Sequence, residues 1–205
     1  MLELGILSYL QDNPSNLERI IEHCNISKYT AETLLETALC AGVISKNDNI
    51  YTNTAVADAF LNNEMTKVNF NFVKDVCYLG ASELTQSFKD EEPKGLKKFI
   101  GEHQTIYNIL QILPEKMKKS WFEFDHFYSD RCFEEALKII FQKPTPQIFD
   151  IGGNTGKFER ACLEFNPECK VNMIDLPENI EAAKKNLKND RLNFYGIDVL
   201  DKSSK

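Results

Sequence analysis

No two cysteines in this 205-residue sequence stand in a C-x-x-C spacing. The six that occur (Cys24, Cys40, Cys77, Cys132, Cys162 and Cys169) are scattered. That excludes the common structural zinc frameworks, so no metal site is expected. Thiols spread through helical patterns read as buried cysteines of a reducing compartment. Long apolar runs are also missing, so no membrane partner is expected. The apolar start, Met1 to Leu10, carries Glu3 and has neither a basic leader nor a cleavage site. The expected location is the cytoplasm. Positive charge is scarce: the net charge is −7 and the sequence pI is near 5.1. A general nucleic-acid binder needs a basic face, so nucleic acid is not an expected partner.

What is present divides into three regions: 1–63, 64–143 and 144–205. In the first, Leu2, Ile6, Leu7 and Leu10 recur at helical spacing, and Asn13-Pro14 breaks the pattern. Ser15-x-x-Glu18 reads as a capping box opening a second helix. Ser27 caps a third, and Gly42 stops it. "VISK", "NDN" and "IYTN" then read as a hairpin, followed by a helix from about Ala55 to Leu61. Three helices and a hairpin make a winged helix-turn-helix. Its charge argues against a DNA groove: Arg19, Lys28 and Lys46 stand against Glu3, Asp12, Glu18, Glu22, Glu32, Glu36, Asp48 and Asp58. Protein contact, above all homodimerisation, is the expected role.

The second region reads as a helical linker interrupted near Gly80, Pro93-Lys94-Gly95 and Pro114. "WFEFDHFYSD", Trp121 to Asp130, is dense in aromatics. It fits packing between domains or the wall of a small-molecule pocket.

After "QKPTPQ" the third region runs strand, helix, strand, helix, strand. "KFERACLEF" is expected to turn Phe158, Ala161, Cys162 and Phe165 inward, and Pro177 to open the next helix. This order implies an α/β fold with a parallel doubly wound sheet. The loop "GGNTGK" ends the first strand. A triphosphate loop requires G-x-x-x-x-G-K-[ST], but Gly152 to Gly156 is one residue short and Phe158 replaces the hydroxyl. Lys157 is then expected to be a solvated first-turn lysine. G-x-G-x-x-G fails from either Gly152 or Gly153. Acid-x-G-x-G-x-G fits through Asp150, Gly152, Asn154 and Gly156, with Asn154 the one substitution. Asparagine tolerates positive φ, so the exception is mild. Asp175 ends the second strand, where an acid accepts ribose hydroxyls. Asp198 ends the third, within reach of an adenine amino group.

"FDIGGNTGKF", "MIDLPENIEAAK" and "FYGIDVLD", behind the winged-helix pattern and "FDHFYSD", resemble the S-adenosylmethionine-dependent O-methyltransferases of the plant caffeate/hydroxyindole type and their bacterial relatives. The resemblance covers nearly the whole chain. It implies a partial Rossmann-like class I methyltransferase domain with S-adenosylmethionine as cofactor and a small-molecule acceptor. It implies that the loop, including Gly153, passes the amino-acid end of the cofactor. Asp175 and Leu176 then hold the ribose side, and Asp198 lies by the adenine. It also implies an N-terminal domain used for dimerisation. The family's sheet has seven strands, of which three are found here, and its later catalytic histidine has no counterpart. The first strand is then expected to be an apolar edge, a liability unless covered. The chain is expected to be truncated, binding cofactor without turnover, or to cover that edge with a partner. His126 and His103 are the remaining candidate bases beside His23, and His126 in its aromatic segment reads as packed rather than catalytic. A non-catalytic binding or dimerisation protein and a winged-helix ligand-sensing regulator stay open as alternatives.

Overall fold

A computed structural model describes residues 1–100 and 105–201. The chain forms two compact units, 1–70 and 71–205.

Unit 1 contains α1 (Ile6–Asp12), α2 (Leu17–Cys24), α3 (Lys28–Cys40), the antiparallel strands β1 (Ile44–Asn47) and β2 (Ile50–Asn53), and α4 (Ala55–Asn62). The helix α5 (Glu64–Phe72) carries the boundary. Leu2 lies ahead of α1, in a turn. The core gathers Ile6, Leu10, Ile20, Leu35, Ile44 and Tyr51 from every element up to β2. Ser27 accepts from the Thr30 N–H at 3.1 Å, the expected cap of α3. Gly42 follows that helix at φ 68°, a conformation that suits glycine.

The cap of α2 differs from the Ser15 box. Asn16 is the cap residue, and its Oδ1 accepts from the Arg19 N–H at 3.1 Å. Ser15 is drawn away by a longer-range pairing. Its backbone exchanges hydrogen bonds with Tyr51, and its hydroxyl donates toward Tyr9 Oη and the Asn13 carbonyl. With its hydroxyl taken by Tyr9 and Asn13, Ser15 does not cap the helix beside it.

Unit 2 begins with a π-turn at Val73–Cys77, then α6 (Tyr78–Ala81), α7 (Leu84–Asp90) and α8 (Lys97–Ile100). Next come a 3₁₀ segment (Tyr107–Ile112), α9 (Glu115–Ser129) and α10 (Phe133–Ile140). The sheet follows: β3 (Gln147–Ile151), α11 (Lys157–Phe165), β4 (Lys170–Asp175), α12 (Pro177–Asn186) and β5 (Leu192–Gly196). Pro177 is at the first helical position of α12, as expected.

The strands are parallel in the order β3-β4-β5. Consecutive strands with right-handed crossovers place both connecting helices on one side. Ile148, Val171, Met173, Leu192 and Phe194 accordingly pack with α10, α11 and α12 in a single core. Phe149 and Ile151, on the opposite face of β3, are 61% and 66% exposed. The doubly wound arrangement, with helices on both faces, is therefore not reached among the described residues. β3 is an edge strand, as the sequence implied.

One sequence expectation changes on α11, and one inward residue was not foreseen. Phe165 is not inward; it is 46% exposed and stacks on Phe141. The inward position is taken by Glu159, which is wholly buried beside Cys162 and Leu163.

Candidate functional site

The loop between β3 and α11 alternates its backbone handedness. Gly152, Asn154 and Gly156 have φ of 85°, 56° and 83°. These are the three positions that the acid-x-G-x-G-x-G spacing singles out, and two of them are glycine because other side chains resist this region. Asn154 adopts it with help from its side chain, whose Nδ2 donates to Asp125 Oδ2 at 2.7 Å. Gly153 has a different reason. A Cβ there would lie 2.0 Å from Glu159 Oε1 and 2.9 Å from Met173 Cγ. The loop rests directly on a buried carboxyl group.

Asp175, the last residue of β4, ties the loop to the sheet. Its Oδ2 accepts from the Asn154 N–H at 2.8 Å. Its Oδ1 accepts from the Leu176 N–H at 2.7 Å and from Asn179 Nδ2 at 2.8 Å. A carboxylate offers about four acceptor sites, so capacity for a ligand hydroxyl is left. Asp198 lies two residues beyond β5 rather than within it.

Helix α9 clamps the same loop from the other side. Besides Asp125 on Asn154, His126 Nε2 lies 3.3 Å from Thr155 Oγ1. Lys157 Nζ donates to Asp130 Oδ2 at 2.7 Å. Lys157 is thus paired, not simply solvated as the sequence implied. His126 Nδ1 also faces Asp130 Oδ1 at 3.2 Å. Burial raises the Asp130 carboxyl, but the Lys157 hydrogen bond, the His126 charge and Ser129 outweigh it and hold it below the ordinary range.

Two clefts flank the loop. One, of about 430 Å³, is lined by Trp121, Asp125, His126, Asp150, Asn154 and Asp175 among others. The second, of about 490 Å³, is lined by Ile174, Asp175, Leu176, Asp198, Val199 and Leu200 among others. Tyr107, Gly152, Asp175 and Asn179 belong to both, so the clefts adjoin. The structure brings Asp150, Gly152, Gly153, Asn154 and Asp175 to the first cleft, and Leu176 and Asp198 to the second. Gly156 borders a third, more open depression with Lys157 and Arg160.

The first cleft is acidic. Burial raises the Asp150 carboxyl; a hydrogen bond from Glu159 partly offsets this, and the Asp175 charge adds to it. Glu159 is pushed up to about 8, by burial first and by the Asp150 charge next. Among the described residues, neither Glu159 oxygen has a hydrogen-bond donor, and Asn154 Oδ1 has none either. Cys162, beside this group, is pushed up to about 12 by burial and the nearby acids.

Sequence reasoning missed Glu159, Asp125 and Asn179. A signal for Glu159 existed: it lies three and four residues before Cys162 and Leu163, on the face that turns inward. No comparable signal marks Asp125, 29 positions from its partner. Of the candidate bases, His23 stacks on Tyr9 with ring centroids 4.0 Å apart. His103 lies outside the described residues. Among the described residues no cluster of three or more His, Cys, Asp or Glu forms a metal-binding group. Among the described residues no helix is long and apolar enough to cross a membrane.

Known proteins resemble this chain. Acetylserotonin O-methyltransferase of Gallus gallus is 24% identical over 194 residues, covering 90% of this chain and 56% of that protein. L-tyrosine C(3)-methyltransferase of Streptomyces lavendulae is 20% identical over 189 residues, covering 90% and 51%. The chain spans about half the length of the curated relatives it matches. Among solved structures, PigF with SAH superposes with a TM-score of 0.70 at 17% identity, covering 97% of this chain and 61% of that one. NcsB1, an O-methyltransferase from neocarzinostatin biosynthesis solved with S-adenosylmethionine and 2-hydroxy-5-methyl naphthoic acid, gives 0.65 at 15% identity, covering 97% and 62%. These likenesses establish a shared fold. The family model described as O-methyltransferase domain matches residues 83–203, more than half of the sequence, and the chain belongs to that family.

Proposed function

We propose that the chain binds S-adenosylmethionine across the two adjoining clefts and serves methyl transfer to a hydroxyl of a small-molecule acceptor. The observation that carries this reading is the junction of Asp175 with the Gly152–Gly156 loop. One acid at the end of β4 fixes the loop through Asn154 and stands in both clefts at once. The residues fit the cofactor chemically. The first cleft offers Asp125, Asp150 and Asp175 to the α-ammonium group of the cofactor's amino-acid end. The second offers Asp175 and Asp198 to ribose and adenine, with Leu176, Val199 and Leu200 as apolar walls.

The cofactor supplies an electrophilic methyl group on a good sulfonium leaving group. What remains for the protein is positioning and removal of one proton. Asp150, Gly152, Gly153, Asn154 and Gly156 shape the amino-acid cleft, and Asp175, Leu176 and Asp198 the nucleoside cleft. His126 has both ring nitrogens engaged, by Asp130 and Thr155, so its role on this reading is to hold the loop rather than take the acceptor's proton. The chain then binds cofactor without completing proton removal itself. Residues 1–63 serve as a winged-helix-type dimerisation module, 64–143 as linker and pocket wall, and 144–205 as the cofactor domain. The acidic balance of the first module supports protein contact over DNA.

Calorimetric titration with S-adenosylhomocysteine tests the reading. Wild type is expected to bind, and Asp175→Ala to bind at least tenfold more weakly. No heat from wild type, or identical binding by the variant, would sink it. Methyl transfer by this chain alone to a phenolic acceptor would overturn the claim about proton removal.

A further inference from the structure

The acid beneath the loop has no role so far. Glu159 is wholly buried on α11, and among the described residues neither of its oxygens meets a donor. It touches the position where a Gly153 side chain would begin. Every titratable group that faces it is acidic or neutral: Asp150 from β3, Asp175 from the end of β4, and the Cys162 thiol on its own helix. Met173 closes the β4 side. Two ionised carboxylates cannot share such a place without a compensating cation, because burial removes the water that would otherwise offset their repulsion. With one proton on Glu159, it donates to Asp150, and Asp150 keeps its charge toward the cleft.

We propose that Glu159 is a positioning residue that holds the Asp150 carboxylate through one shared proton and releases that proton to solvent when a cationic cofactor enters the cleft. This rests on the cofactor reading given above. The argument is one of charge. A sulfonium beside Asp150 and Asp175 compensates one more negative charge beneath Gly153, so the cation and the proton compete. The demethylated product has a neutral thioether and competes less. The pair therefore lets the cleft distinguish the cofactor from its product, by an amount that grows as pH rises toward about 8 and levels off above it. The raised affinity of Glu159 for its proton, with its value of about 8, is consistent with this. Linkage sets the size: each unit by which the cation lowers the acid's pKa adds about tenfold to cofactor affinity at high pH.

The test is calorimetric titration of the full chain with S-adenosylmethionine and with S-adenosylhomocysteine, from pH 6.5 to 9, in two buffers of different ionisation enthalpy. The α-amino group of both ligands titrates in this range, so the readout is the ratio of the two affinities. In wild type the ratio is expected to rise about tenfold in favour of S-adenosylmethionine, with net proton release. In Glu159→Gln, whose amide still donates to Asp150, the ratio stays flat. A wild-type ratio that does not change, or an equal rise in the variant, overturns the proposal. Should Glu159→Gln fail to fold, carboxyl ¹³C spectra of glutamate-labelled wild type decide. One resonance titrating near pH 8 and moving to lower pH with S-adenosylmethionine supports the proposal. All glutamates titrating below pH 6, or an anomalous one that ignores the bound ligand, overturns it. Absence of binding by either ligand removes the cofactor reading itself, and with it the coupling. An anomalous resonance without binding identifies that case.

Discussion

Asn154 Nδ2 donates to Asp125 Oδ2 at 2.7 Å, joining the glycine-patterned loop to helix α9 across 29 residues of sequence. The one residue that departs from the glycine pattern thus also anchors the loop. Asn154→Gly relieves a φ of 56° but loses a hydrogen bond to a charged group. Such bonds contribute about 1.5–3 kcal/mol, and the conformational relief is smaller. The expected net effect is a destabilisation of about 1 kcal/mol, measured by urea unfolding. Asp125→Asn should have a similar effect, and the double variant little more than either alone. Additive losses would show that the pair is not coupled.

Gly153→Ala places a methyl group 2.0 Å from Glu159 Oε1. Overpacking of this kind costs about 1–3 kcal/mol. Glu159→Ala removes the nearer obstacle and leaves Met173 Cγ at 2.9 Å. The double variant Gly153→Ala/Glu159→Ala is therefore expected to be more stable than the sum of the single losses, by about 1 kcal/mol. Melting temperatures of the four proteins measure this coupling, and a zero value would mean that the loop does not rest on the acid.

Burial and the Asp150 charge push Glu159 up to about 8. An unfolded glutamate loses its proton near about 4.3. Between these values the folded chain binds one more proton than the unfolded chain, so stability falls as pH rises through the window and levels off above about 8. The slope from this group is at most about 1.4 kcal/mol per pH unit. Asp150, also raised, adds a contribution of the same sign. Glu159→Gln removes the Glu159 contribution, so its stability relative to wild type should grow between pH 5 and 8. Urea midpoints at pH 5, 6.5 and 8 check this; parallel curves for the two proteins count against it.

Asn16 caps α2 by accepting from the Arg19 N–H, whereas Ser15 is 1% exposed and bridged to Tyr51. Asn16→Ala should cost about 1 kcal/mol and expose the Arg19 amide to hydrogen exchange. Ser15→Ala should also destabilise the unit, through Tyr9 and Asn13, yet leave Arg19 protected. Equal exchange at Arg19 in both variants would restore the capping-box reading.

Much of unit 2 was legible because its signals are local. Pro177 opens a helix where its missing N–H costs nothing, and the loop spacing selects the three positions of positive φ. The Ser27 cap and the Gly42 stop in unit 1 are of the same kind. Each depends on a few neighbouring residues and needs no knowledge of the rest of the chain. The Ser15 box was misread because the same local pattern was open to a distant competitor, Tyr51.

By itself the sequence determined the β-α-β-α-β order, a loop whose spacing fits neither phosphate motif, and the acids that end or follow the strands. Those follow from periodicity, spacing and backbone preference. Tertiary structure alone decided that Lys157 is paired with Asp130, that Asn154 is anchored by Asp125, and that one sheet face carries all the packed helices. It also decided that Glu159, an ordinary acid in a helical run, lies buried under the loop. The physical reason is the same in each case. A side chain's energy is set by what the fold brings against it, and neither a partner 29 residues away nor the loss of water around a carboxyl group is written in its neighbours.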